Sequence, residues 1–319
     1  MPAAGVYSLL NKRENAHDDP IYCCFFTSIR TNDDTNYPSE EYLVTGGLDS
    51  LVKVWHFQKN KIDLLHTLAG HCMAVVSVAV SPNGQIIASA SLDSTLMIWE
   101  LTTGNKINAI KTNATDVWKV SFSPDGTHVV SGSQNGKLNV YNIVTNTVEK
   151  VLDSRGKFAL SVAWSSDGKS IASGSVDGNV YVFDVSQGKL SHTLNAHAQT
   201  VRSIDFSPNS KLLVTGSNDG FVKVFDVANE NHQGSLKLNT WVLSVCFSGD
   251  GSRVAVATAD GRVTIALVKE LKVLQTFQEH NETVCDLKFN ASGNKLFSVS
   301  KDRSINIYEC PIPTKNDKK

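Results

Sequence analysis

The feature that most constrains this chain is a pattern that recurs seven times. A Ser/Thr-x-x-x-Asp step ends a short strand-like run, and a second run closes six residues later on an aromatic. Thr45-Gly-Gly-Leu-Asp49 leads to Trp55, Ser89-Ala-Ser-Leu-Asp93 to Trp99, and Ser131-Gly-Ser-Gln-Asn135 to Tyr141. Ser173-Gly-Ser-Val-Asp177 leads to Phe183, Thr215-Gly-Ser-Asn-Asp219 to Phe225, and Ser298-Val-Ser-Lys-Asp302 to Tyr308. A weaker copy, Val256-Ala-Thr-Ala-Asp260, leads to Ala266. The anchors at 49, 93, 135, 177, 219, 260 and 302 are 44, 42, 42, 42, 41 and 42 residues apart. A period near 40–45 residues with several short strands per unit is the signature of a propeller blade. Seven anchors predict seven blades.

The fold class expected is therefore all-β: a single seven-bladed β-propeller of WD-repeat type over residues 1–312, with a polar, disordered tail over 313–319. Pro82-Asn-Gly84, Pro124-Asp-Gly126, Ser166-Asp-Gly168 and Gly249-Asp-Gly251 supply tight turns between the first two strands of their units, since Asn-Gly and Asp-Gly tolerate positive φ. No sustained 3.6-residue apolar period is present, so almost no helix is expected. After Asp302 only one strand, Ile305 to Tyr308, precedes Pro311 and Pro313. The last blade then lacks its outermost strand. The segment from Val6 to Leu10 is expected to supply it, which closes the ring and removes two free sheet edges.

Histidines precede several anchors by 22 residues (His71, His197, His280), where the other units carry Asn113, Arg155 and Leu238. In the first unit His17 lies 32 residues ahead, which places an insertion of about ten residues at 30–41, a surface loop and candidate accessory contact. His71, Ser89 and Asp93 resemble a hydrolase triad, but a catalytic set is needed once per site and not once per blade. The set His17, Thr45, Asp49, Trp55 repeats as His71, Ser89, Asp93, Trp99; units five and seven keep His197, Thr215, Asp219 and His280, Ser298, Asp302. It reads as a structural hydrogen-bond chain from indole N–H to hydroxyl to imidazole to carboxylate. Unit six has lost the histidine, hydroxyl and aromatic together (Leu238, Val256, Ala266), as expected if half of a buried network is worse than none.

Other chemistry finds little support. Gly132-Ser-Gln-Asn-Gly-Lys137 is too short for a phosphate loop and falls on the repeated turn. The six cysteines at 23, 24, 72, 246, 285 and 310 form no C-x-x-C pair, so no metal or redox motif is indicated and they read as small buried apolar residues. No cofactor is expected. Net charge is −1 without a long basic run, which argues against direct nucleic-acid binding. No apolar run approaches a membrane span. The N-terminus lacks the basic and apolar regions of a secretory signal, so an intracellular protein, monomeric on its own, is expected.

Function is then sought on the surface. The slot three to five residues after each histidine position opens the inner strand at the channel rim. It reads Pro20 and Tyr22, Ala74 and Val76, Asp116 and Trp118, Phe158 and Leu160, Thr200 and Arg202, Trp241 and Leu243, Thr283 and Cys285. Its large aromatics suggest a protein-binding top face formed by Tyr22, Asp116, Trp118, Phe158, Leu160, Arg202, Trp241 and Leu243, because Trp, Tyr and Arg dominate interface hot spots. Asp116 would orient a basic residue of the incoming peptide.

Particular stretches resemble one WD-repeat family: Ala16-His-Asp-Asp19, Val44-Thr-Gly-Gly-Leu-Asp-Ser-Leu-Val-Lys-Val-Trp55, Asp153-Ser-Arg-Gly-Lys-Phe158, Trp241-Val-Leu-Ser244 and Ile307-Tyr-Glu-Cys-Pro-Ile312. The sequence is similar to the propeller subunit of the superkiller complex, which in animals is also associated with the RNA polymerase II-associated factor complex. The resemblance implies a non-catalytic adaptor of cytoplasm and nucleus that serves exosome-linked mRNA decay and transcription elongation. Its implied partners are a tetratricopeptide scaffold, an RNA helicase and the polymerase-associated factors. It also implies that Tyr22, Trp118, Phe158, Arg202 and Trp241 grip a Gln-Arg-x-x-apolar motif. Cys285 departs from the aromatic expected in its slot. Two other adaptor classes compete. A cullin ubiquitin-ligase receptor would carry Arg two residues after a Trp-Asp pair, which Trp55-His-Phe-Gln and Trp99-Glu-Leu-Thr lack. A G-protein-β-like ribosome or signalling adaptor would show basic clusters.

Overall fold

The computed structural model describes residues 6–29, 39–112 and 117–312. Asp116, most of the 30–41 insertion and the 313–319 tail lie outside the described residues. Seven four-stranded antiparallel sheets are present, and no helix occurs among the described residues. Six blades run in chain order from innermost to outermost strand: Ile21–Leu68, Val75–Lys111, Val120–Asp153, Ala159–Asn195, Val201–Lys237 and Val242–Phe277. The seventh takes three strands from Val284–Glu309, and its outermost strand is Ser8–Arg13, antiparallel to Ile305–Glu309. Closure by the N-terminal segment is thus as expected, although the strand starts and ends later than Val6–Leu10.

The turns explain the strand boundaries. Gly84, Gly126, Gly168 and Gly251 all have φ between +67° and +77°, the left-handed conformation their motifs predict. A serine ahead of each turn locks it. The Ser81 hydroxyl, for example, donates to Asn83 Oδ1 and accepts the Ile86 N–H.

The core is divided into layers between blades. One layer packs Val44, Val52 and Val54 of blade one on Val75, Val78 and Trp99 of blade two. Another packs Trp55 and Ile21 of blade one on Phe297 and Ile307 of blade seven. This packing accounts for the Thr-Gly step of the motif. A Cβ on Gly46 would stand 2.5 Å from Val75 Cγ1, and one on Gly216 2.5 Å from Val242 Cγ1, so at these interfaces the neighbouring blade leaves no room for it, whereas Ala90, Ala257 and Val299 hold the position in blades two, six and seven.

Around the channel, side chains of one inner strand tie down the next. Ser77 Oγ accepts the Val120 N–H at 3.1 Å, Ser203 Oγ accepts the Val245 N–H at 3.1 Å, and Asp286 Oδ2 accepts the Cys24 N–H at 3.2 Å. Asp286 also accepts the Ser244 hydroxyl at 2.6 Å and lies 3.3 Å from Lys119 Nζ. Lys119 belongs to blade three and Asp286 to blade seven, so this ion pair crosses the channel. Burial alone would raise the Asp286 pKa, but Lys119, Lys288 and the hydrogen bonds hold it below the usual carboxylate value.

Candidate functional site

The repeated polar set forms the hydrogen-bond chain expected of it. In blade one the Trp55 indole donates to Thr45 Oγ1 (2.9 Å), Thr45 meets His17 Nε2 (2.8 Å), and His17 Nδ1 meets Asp49 Oδ2 (2.8 Å). Blade two repeats it with Trp99 to Ser89 (2.8 Å), Ser89 to His71 (2.8 Å) and His71 to Asp93 (3.1 Å). His197–Thr215–Asp219 and His280–Ser298–Asp302 keep the last two links. With the indole donating to the hydroxyl, the hydroxyl donates to Nε2 and Nδ1–H donates to the carboxylate. This is also the proton order of a hydrolase triad, but the hydroxyls of Thr45, Ser89, Thr215 and Ser298 are fully buried, so no substrate can reach them. Each of these carboxylates accepts backbone N–H groups at the turn between the second and third strands or at the incoming loop, such as Asp18 and Leu51 on Asp49 and Cys72 and Thr95 on Asp93.

The degenerate blades divide. In blade six Leu238, Val256 and Ala266 join one apolar cluster, as a joint replacement requires. Blade four departs from the rule. Arg155 is exposed, the Asp177 carboxylate accepts from Tyr181 O–H at 2.8 Å instead, and the buried Ser173 hydroxyl has no partner among the described residues.

The rim has a physical origin that strand alternation does not reveal. In six blades the inner strand opens with a β-bulge, and the extra residue is Tyr22, Val76, Leu160, Arg202, Leu243 or Cys285. In blade three the Trp118 N–H donates to Gly132 O while the Gly132 N–H donates to Lys119 O, the same two-against-one arrangement. A bulge re-aims one side chain out of the pleat, here toward the channel mouth. The slot is therefore structurally equivalent in all blades and free to vary in chemistry.

Four of the rim residues make contacts with one another. The Trp118 and Phe158 rings meet edge to face at 5.5 Å, and the Arg202 guanidinium lies 6.0 Å from the Trp241 ring centre. Arg202 is held by its Nε–H, which donates to Asn218 Oδ1 at 3.0 Å. Trp241 is 51% exposed, and Tyr22, Trp118, Phe158, Arg202 and Leu243 are partly exposed. The result is an aromatic arc across blades three to six carrying one positive charge.

Leu160 requires correction. It is only 7% exposed, so it offers a partner little surface although its slot matches that of Tyr22. Residues not singled out from sequence extend the face instead: Leu48, Met73, Leu92 and Val176 are exposed apolar groups. The N–H groups of Leu48, Leu92 and Val176 donate to the Pro20, Ala74 and Phe158 carbonyls, which sets them beside the rim. The signal for Leu48, Leu92 and Val176 was present in sequence, because the residue before the anchor is Gln134, Asn218, Ala259 or Lys301 in the other units. Among the cysteines, Cys72 is exposed and Cys285 partly so, contrary to uniform burial. Burial pushes the Cys246, Cys285 and Cys310 thiols up to about 12, so these three are not thiolates at neutral pH.

A family model described as the IFT122 first beta-propeller matches residues 36–309, and one described as WD domain, G-beta repeat, matches residues 9–56. WD repeat-containing protein SL1-17 of Schistosoma mansoni is 32% identical over 113 residues, 35% of this chain and 36% of that protein. WD repeat-containing protein VIP3 of Arabidopsis thaliana is 34% identical over 118 residues, 37% of this chain and 33% of that protein. Small ribosomal subunit protein RACK1 of Neurospora crassa is 29% identical over 100 residues, 31% of this chain and 28% of that protein. Each alignment thus spans about a third of the relative's length. Because the matched family segment runs through most of the ring, the chain belongs to the WD-repeat β-propeller family, in the set described by the IFT122 first beta-propeller model.

Proposed function

We propose that this protein is a non-catalytic adaptor that holds short segments of partner proteins on the top face of its propeller. The observation that carries the reading is the aromatic arc: Trp118, Phe158, Arg202 and Trp241 are placed at the mouth by the inner-strand bulges and the loops entering them. Large, rigid rings bury much area at small entropic cost, which suits an interface centre. The sequence resemblance carries the finer reading, that of the propeller subunit of the superkiller complex and of the RNA polymerase II-associated factor complex. Its partners would be a tetratricopeptide scaffold, an RNA helicase and the polymerase-associated factors, met in cytoplasm and nucleus. The similarity to the ribosomal protein RACK1 favours a second reading, a G-protein-β-like ribosome or signalling adaptor.

Affinity purification with mass spectrometry separates these. Wild-type protein is expected to recover a tetratricopeptide scaffold and its helicase, and the Trp118→Ala/Trp241→Ala variant to lose both. Each truncation should cost roughly 2 kcal/mol of binding without unfolding the blade, since both rings are at least partly exposed. Recovery of ribosomes alone would favour the second reading. Equal recovery of the scaffold by both proteins would remove the rim as its site.

A further inference from the structure

Trp164 breaks the pattern of its own repeat. The equivalent residues in the other blades are Phe26, Val80, Phe122, Phe206, Phe247 and Phe289, and all six are buried. Trp164 alone among the seven is partly exposed. It lies on the face opposite the rim, where it lines a cavity of about 370 Å³ between blades three and four and also borders the hollow of about 600 Å³ at the bottom mouth of the channel. Its indole N–H donates to Gly168 O at 3.4 Å, so the one polar hydrogen of the ring is already engaged.

Two aspartates line the same cavity. Asp125 Oδ1 accepts from the Ser123 hydroxyl and the Thr127 N–H, and Asp167 Oδ1 accepts from the Ser165 hydroxyl and the Lys169 N–H. The second oxygen of each accepts no hydrogen bond among the described residues. Hydrogen bonds from Ser123 and Ser165 lead the causes that hold both pKa values below the carboxylate norm, so both are ionised at neutral pH. The remaining charges of the lining are already engaged. Glu149 sits between His128 and Asn142, and Lys150 Nζ donates to Val185 O at 2.9 Å.

We propose that this cavity binds an arginine side chain of a partner polypeptide, stacked on Trp164 and held by the open oxygens of Asp125 and Asp167. A guanidinium is planar, always charged and forked, so it can lie on an aromatic face while its N–H groups reach carboxylates. Lysine meets the charge requirement but not the shape. The site is distinct from the top face and would give the adaptor a second point of attachment on the same partner or another one.

The test uses the full chain and the blocked tetrapeptide Ala-Leu-Arg-Ala carrying a neutral dye, beside its lysine and citrulline counterparts, in fluorescence polarisation. The arginine peptide is expected to bind roughly tenfold tighter than the citrulline peptide, with lysine between them. Asp125→Asn/Asp167→Asn should erase that preference. The asparagines keep the Oδ1 acceptors that close the two turns, and a melting scan checks that the fold survives. If that variant melts early, Trp164→Phe, which places there the residue of five sister blades, should give the same loss. The top-face variant Trp118→Ala/Trp241→Ala should retain the full preference, so the two surfaces are tested separately. A wild-type protein that does not distinguish arginine from citrulline, a preference surviving both cavity variants, or its loss in the top-face variant would overturn the assignment.

Discussion

A histidine buried beside a carboxylate can be an active group or a structural one, and the accessibility of its hydroxyl partner decides which: Ser89 is fully buried. In blade two burial drives the His71 pKa down, and the Asp93 pKa is also low: burial opposes ionisation, but Thr95, the Cys72 N–H and His71 outweigh it. A neutral ring donating Nδ1–H to an ionised carboxylate satisfies both directions. Asp93→Ala would leave the Cys72 and Thr95 N–H groups, the Thr95 hydroxyl and the ring without their acceptor. The expected loss is about 2 kcal/mol, read by chemical denaturation at pH 7, and an unchanged midpoint would refute the role. The sign of its pH dependence follows. A folded pKa below the unfolded value of about 3.9 gives stability that is present above that value and lost as pH falls through the folded one. The gap between wild type and variant should therefore narrow in strong acid.

At the scale of the strand and turn, the repeat was legible because its signals are local. Fixed turn lengths keep the anchors in step, and each Asn-Gly or Asp-Gly marks a positive φ. The residue after the anchor shows the same logic. It is glycine in blades three to six, with φ near +80°, but Ser50, Ser94 and Arg303 in the others, at +65° to +66°. Ser94→Gly should then relieve left-handed strain and stabilise the protein by about 0.5–1 kcal/mol. A melting temperature that falls would show that the serine side chain contributes something the backbone argument omits. The inner-strand bulges were not legible, because they are set by the register between two strands and not by either one. Leu160 was misplaced for a related reason. Its slot was identified correctly, but its burial depends on what surrounds it in space. The exposure of Trp164 was hidden too, since a tryptophan among five phenylalanines and a valine reads as ordinary core.

At the scale of the whole ring, stability depends on keeping seven blades in contact around a channel. The N-terminal strand closes the outer edge of the seam by pairing with blade seven. Asp286 closes the inner edge, where one carboxylate accepts from Ser244 of blade six, its own neighbour Leu287, and Cys24 of blade one, and faces Lys119 of blade three. The two halves of that ion pair are not equivalent. The Lys119 side chain is 31% exposed and can turn to solvent, whereas that of Asp286 is 3% exposed and cannot. Asp286→Ala should therefore cost about 3 kcal/mol, because it takes the acceptor from the Ser244 hydroxyl and the Leu287 and Cys24 N–H groups at once. Lys119→Met should cost about 1 kcal/mol or less, because the carboxylate retains its other donors. Denaturant midpoints of the two variants decide the matter. Equal losses would mean that the carboxylate acts only as half of an ion pair, and a small loss for both would mean that the seam is held by the outer strand alone.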